Sequence, residues 1–119
     1  MKHTKRKITK IVDEMITYCY SIGATKIELL LEDDALAHYI TLTSDFDMSK
    51  IQAVNSLKEK LNQGRSEELE EMYWNLTGMS DLEDEVELQL VSALIDRAEI
   101  YIDANICTLY LIRKRSKSK

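Results

Sequence analysis

The sequence predicts an α+β fold: a two-layer α/β sandwich whose four-stranded sheet, mixed or antiparallel and made of two hairpins, is covered by helices. Three observations predict it. Apolar residues recur at helical spacing across 7–22. Two pairs of short β-type segments flank polar turns, one at 26–43 and one at 99–112. Ahead of the second pair lies a mainly apolar stretch, 86–98, long enough for a buried helix and running straight into a strand. The order is α-β-β-α-α-α-β-β.

In the first helix Ile8, Ile11, Val12, Met15, Cys19 and Ile22 fall on one face, and Gly23 follows where a left-handed C-terminal turn is expected. Residues 25–31 alternate, with Ile27, Leu29 and Leu31 on one face, as a half-buried strand does. After the polar turn 32–35, residues 37–43 are rich in β-branched and aromatic types and form the antiparallel partner. His38 is expected as a strand surface residue, since no Cys, His or paired carboxylate stands at ligand spacing from it.

Asp47 or Ser49 caps a helix over 49–62, with Ile51, Val54, Leu57 and Leu61 inward. The nearby pair Asp45 and Asp47 is read as capping chemistry at a helix start, not as a metal site. Gly64 breaks that helix. Ser66 opens another over 66–77, with Leu69, Met72, Tyr73 and Leu76 toward the core and Trp74, the chain's one tryptophan, read as packing. Gly78 closes it. Ser80 or Asp81 caps the next helix, whose acids Glu83, Asp84, Glu85 and Glu87 complement its dipole. Asp96 and Arg97 end it, and Ala104 with Asn105 turns the final hairpin.

With 119 residues, 45% hydrophobic and 31% charged, the chain is sized and composed for one domain with an ordinary core. No apolar run approaches the roughly 20 residues of a membrane span. The basic N-terminus leads into an amphipathic pattern, which argues against a secretory signal. Cys19 and Cys107 both take apolar-face positions, so buried free thiols in a cytoplasmic protein are expected. All 21 acids lie in 11–112 with six bases, while each end is basic. Basic tails at 1–7 and 114–119 are therefore expected around a domain at 8–113. The acidic body would repel phosphate and no aromatic is interleaved with the basic ends, which argues against sequence-specific nucleic-acid binding.

Three stretches carry a family resemblance. The run Ile11, Val12, Asp13, Glu14, Met15, Ile16 is similar to the first-box helix of the histidine-kinase-like (GHKL) ATPase fold. Ile40, Thr41, Leu42, Thr43, Ser44, Asp45 resembles its strand before the DxGxG box. Leu88 through Asp96 resembles the helix after its GxG box. Within the group, the anti-sigma-factor serine kinases of bacterial-type signalling are nearest in length. The resemblance implies ATP with Mg²⁺ as cofactor, Glu14 as general base and Asp45 reading the adenine. Its magnesium-holding asparagine, four residues after the glutamate, is here Tyr18. The glycines after Asp45 are replaced by Asp47 and Ser49.

No glycine follows Gly78, so the phosphate-cradling loop has no counterpart, and residues 81–87 would present five carboxylates to a polyphosphate. Each close like-charge pair costs roughly 1 kcal/mol even in water. The expectation is a non-catalytic interaction or regulatory module on this fold, without cofactor or metal, that meets a protein partner or a second copy of itself. The alternative is an ATP/ADP-binding protein or anti-sigma-type kinase with an altered pocket built on Asp45, Tyr18 and Glu14.

Overall fold

Four strands, all antiparallel to their neighbours, form a sheet in the order β1-β2-β4-β3: β1 is Ile27–Asp33, β2 Ala37–Asp45, β3 Arg97–Asp103 and β4 Ile106–Lys114. The computed structural model describes residues 4–75 and 88–115, and for 73–75 the backbone alone. Five helices accompany the sheet among the described residues: α1 (Thr4–Ser21), α2 (Ile51–Asn55), α3 (Leu57–Leu61), α4 (Glu67–Asn75) and α5 (Leu88–Leu94). The α+β class, the two hairpins and the element order are those the sequence predicts.

Pairing register decides which side chains share a face. Ile40, Leu42 and Ser44 of β2, Cys107, Leu109 and Leu111 of β4, and Ala98 of β3 are buried beneath the helices. Ile11, Met15 and Cys19 of α1, Val54, Leu57 and Leu61 of α2–α3, and Leu90, Val91 and Leu94 of α5 meet them to form the core. Burial of each such Leu or Ile is worth about 1.5–3 kcal/mol. The opposite face carries Leu30, Tyr39, Thr41, Tyr101, Thr108, Tyr110 and Ile112. Leu30 and both tyrosines of the β3–β4 hairpin, Tyr101 and Tyr110, are exposed there.

Helix α1 begins at Thr4, ahead of the expected start at 7, and ends as expected. Gly23 has φ +88°, its amide donates to the Tyr20 carbonyl at 3.1 Å, and the Ala24 amide donates to Cys19 at 3.0 Å. These two bonds satisfy carbonyls the helix leaves open. Asp47 caps as expected, accepting from the Ser49 amide at 3.0 Å, but the cap opens a 3-10 turn, Met48–Lys50, before α2. The helix expected over 49–62 is then split at Ser56, whose hydroxyl donates back to the Ala53 carbonyl at 3.1 Å, a competing local bond. Ser66 caps α4 through the Leu69 amide at 3.1 Å.

Other expectations are corrected. The helix drawn over 86–98 ends at Leu94, and β3 begins at Arg97, because partners elsewhere claim this backbone. Arg113 donates to the Leu94 carbonyl at 2.7 Å, and the Asp96 amide donates to Ile112 at 2.8 Å. Met72, expected inward, is exposed, and Glu70 takes the buried position on α4. Strand β1 is not half-buried: it lies at the edge, and residues 28–33 are exposed on both faces. His38 is half-buried and pairs through Nδ1 with Asp33 at 3.3 Å. At the chain ends, Lys7 is buried on α1 and Lys114 belongs to β4, so these two residues of the expected basic tails are built into the fold. Leu76, Gly78 and the capping and acidic residues at 80–87 lie outside the described residues, as do the side chains of Tyr73 and Trp74.

Candidate functional site

Asp45 ends β2, and the chain then turns so that Phe46 enters the core. That turn aims the Asp45 carboxylate at the connection between α1 and β1. Oδ1 accepts from the amides of Thr25 at 2.7 Å and Lys26 at 3.0 Å, and Oδ2 accepts from the Thr25 hydroxyl. The Thr25 hydroxyl, then the Thr25 and Lys26 amides, hold the carboxyl down at about 2. Both oxygens are thus engaged by the protein itself. Asp45 lines a shallow cavity of about 420 Å³ with Thr25, Lys26, Glu28, Thr43, Ser44, Asn105 and Ile106. Two carboxylates face one ammonium in that lining.

Glu14 and Tyr18 lie on the buried face of α1 and are not among the residues lining the Asp45 cavity. Lys10 Nζ pairs with Glu14 Oε2 at 2.9 Å, one helical turn away. From Glu14 to Ile22, whose carbonyl receives the Asp47 amide at 2.8 Å, the helix climbs roughly 12 Å. Glu14 therefore sits in the middle of α1, whereas Asp45 is bonded to Thr25 and Lys26, beyond the C-terminal end of that helix. The Tyr18 phenol is buried, and its hydroxyl meets no hydrogen-bond partner among the described residues. Burial, then the neighbouring Cys107 and Cys19 thiols, push it up to about 12. Burial likewise raises both thiols, Cys107 to about 11.

Sequence reasoning missed a buried ionic cluster. Glu70, 4% exposed, pairs with Lys7 of α1 and with Arg113 Nη1 of β4 at 3.5 Å. Arg65 extends it, reaching Asp96 Oδ2 at 2.9 Å and the Lys114 carbonyl at 3.0 Å. Burial and the adjacent Arg65 guanidinium pull Arg113 below the ordinary arginine range. Each charge has an opposite partner, so the cluster ties α1, α4 and β4 together. In sequence, Glu70 is one acid among Glu67, Glu68 and Glu71, with no signal to mark it.

A second cavity, about 490 Å³, lies beside α5 and is lined by Lys60, Gln63, Gly64, Ser66, Leu69, Leu88, Gln89 and Ser92. Among the described residues no group of three or more His, Cys, Asp or Glu side chains is placed to hold a metal, and no helix is long and apolar enough to cross a membrane. Several large apolar side chains are also exposed among the described residues. Leu29, Leu30 and Leu31 on β1, Leu36 in the first turn, and Tyr101 and Tyr110 on the open face are all exposed. The two tyrosines pack edge to face at 5.6 Å and 74°, which fixes both rings on that face.

No family model, curated protein or solved structure matches the chain.

Proposed function

We propose that the chain is a non-catalytic interaction or regulatory module, a histidine-kinase-like ATPase fold whose nucleotide site has been lost. One observation carries the reading: the acid assigned to adenine recognition is engaged inside the protein. An adenine amino group binds a carboxylate by donating to it. At Asp45 three of a carboxylate's roughly four acceptor positions are already taken, two on Oδ1 by the Thr25 and Lys26 amides and one on Oδ2 by the Thr25 hydroxyl. Glu14 is likewise salt-bridged to Lys10, away from the Asp45 cavity. Exposed leucines and tyrosines on the sheet supply what a protein partner would bury.

A second reading keeps nucleotide binding, and the cavity beside Asp45 favours it, since its volume falls within the usual range for small ligands. Charge opposes it: Asp45 and Glu28 outnumber Lys26, so a polyphosphate there would meet net repulsion.

Calorimetric titration with Mg²⁺-ATP and ADP separates the two. The module reading expects no saturable heat at millimolar nucleotide. Saturable binding at or below ~100 μM, about −5.5 kcal/mol, abolished in a folded Asp45→Asn variant, would overturn it.

A further inference from the structure

The two edges of the sheet are finished differently. At β3 the Asn62 side chain acts as a surrogate strand: its amide nitrogen donates to the Ala98 carbonyl and its oxygen accepts from the Ala98 amide, both at 3.0 Å. Lys58 of α3 pairs with Glu99 at 3.2 Å beside it. Among the described residues the β1 edge has no such cover. The Asp34 amide donates to the Ala37 carbonyl at 3.0 Å, which sets the alternation of the hairpin. Residues 28, 30 and 32 therefore bond β2, and the N–H and C=O groups of Ile27, Leu29 and Leu31 point outward. Among the described residues nothing bonds these outward groups. Leu29, Leu30 and Leu31 are 40%, 53% and 47% exposed, on both faces of a strand without proline or bulge. Such an edge is a template for another strand.

We propose that the occupant is a second copy of this chain, its β1 paired antiparallel with this one about a two-fold axis between the two Leu29 residues. The proposal rests on the interaction-module reading and names the partner.

Symmetry and charge select the register. A two-fold axis relating adjacent antiparallel strands stands perpendicular to the sheet, so opposed residues share a face and the axis must fall on a single residue. Centred on Glu28, it sets two glutamates against each other. Centred on Leu30, it sets Glu28 against the partner's Glu32. Centred on Leu31, it sets Leu29 against the partner's Asp33, and centred on Ile27 it runs Leu31 against the partner's Gly23. Centred on Leu29, it places Lys26 opposite the partner's Glu32 and the Glu28 stem over the partner's Leu30. On the helix side, Ile27 meets the partner's Leu31 and Leu29 meets the partner's Leu29. That row extends the core across the interface. The outward backbone groups of Ile27, Leu29 and Leu31 then pair with one another, joining two four-stranded sheets with both helix layers on one side.

Sedimentation equilibrium from micromolar to millimolar protein, with the fold of every variant checked by circular dichroism, tests this. The expected result is a concentration-dependent rise to twice the 13.8 kDa chain mass. Lys26→Glu and Glu32→Lys each weaken the dimer roughly tenfold or more, and the double variant returns to within a few-fold of the original. Leu29→Pro removes an amide that bonds nothing inside the chain, and is expected to stay folded and monomeric. A single-chain mass at every concentration overturns the proposal, and so does a dimer indifferent to the charge exchanges. Nucleotide titration of the same samples reports on the underlying reading separately: saturable binding there overturns the module whatever the mass.

Discussion

Asp45 holds Thr25 across a separation of 20 residues, accepting from its amide at 2.7 Å and also from its hydroxyl. The contact pins the start of the first hairpin to the end of its second strand, where the chain leaves α1. A carboxylate spent in this way has a structural consequence of its own.

That consequence is a pH dependence. The Asp45 carboxyl is held at about 2, below its ordinary 3.8, by the Thr25 hydroxyl and the Thr25 and Lys26 amides. A depressed folded value means the contribution is complete above the unfolded value and is lost as pH falls through the folded one. Urea melts between about pH 4 and about 2 should therefore show falling stability, and Asp45→Asn should make that limb shallower, with hydrogen-bonded Asp34, Asp47 and Glu99 supplying the remainder, while leaving the melt at neutral pH cooperative.

At the end of α1, Gly23 has φ +88°, and a Cβ added there would stand 2.9 Å from the Asp47 Cβ, on a backbone that donates to the Ile22 carbonyl. Left-handed backbone alone costs an L-residue about 1–2 kcal/mol, and the contact adds to it. Gly23→Ala should destabilise by roughly 2–3 kcal/mol in denaturant melts, whereas Gly64→Ala, with φ +112° but open space around it, should show the backbone part alone.

Glu70 is paired with both Lys7 and Arg113 inside the protein. Glu70→Gln would leave both cations buried against a neutral amide, a loss of about 3–5 kcal/mol by the usual cost of breaking a buried pair. Chemical denaturation measures it. An effect below about 1 kcal/mol would mean the cluster is wet and behaves as surface charge.

Cys19 and Cys107 are each 1% exposed, and burial raises both thiols. Neither should react with a thiol reagent in the native protein at neutral pH, and both should react once it is unfolded. Native-state labelling followed by mass spectrometry reads this directly.

Much of the architecture was legible because local and tertiary preferences agree. The apolar spacing of Ile11, Met15 and Cys19 is satisfied by one buried face of α1, and the Ala104–Asn105 turn joins β3 to β4 as its flanking strands require. Residues that departed from expectation answer to partners far along the chain. Ala98 extends an apolar helical pattern, yet Asn62 holds its backbone in a strand. Leu29 and Leu31 alternate as buried residues do, but alternation carries no information about which strand ends the sheet. Glu14, Tyr18 and Asp45 are marked in the sequence only by the resemblance to the histidine-kinase-like boxes. That Lys10 and Thr25 engage the two acids depends on geometry that spacing alone does not supply.

The most direct measurement is residue-resolved amide hydrogen exchange on dilute protein, concentrated protein, and dilute protein with millimolar Mg²⁺-ATP. Concentration should protect the amides of Ile27, Leu29 and Leu31, while Glu28 and Leu30, already bonded to β2, change little and nucleotide protects nothing. Nucleotide-dependent protection around Asp45, Thr25 and Lys26, with the β1 edge unchanged by concentration, would contradict both expectations.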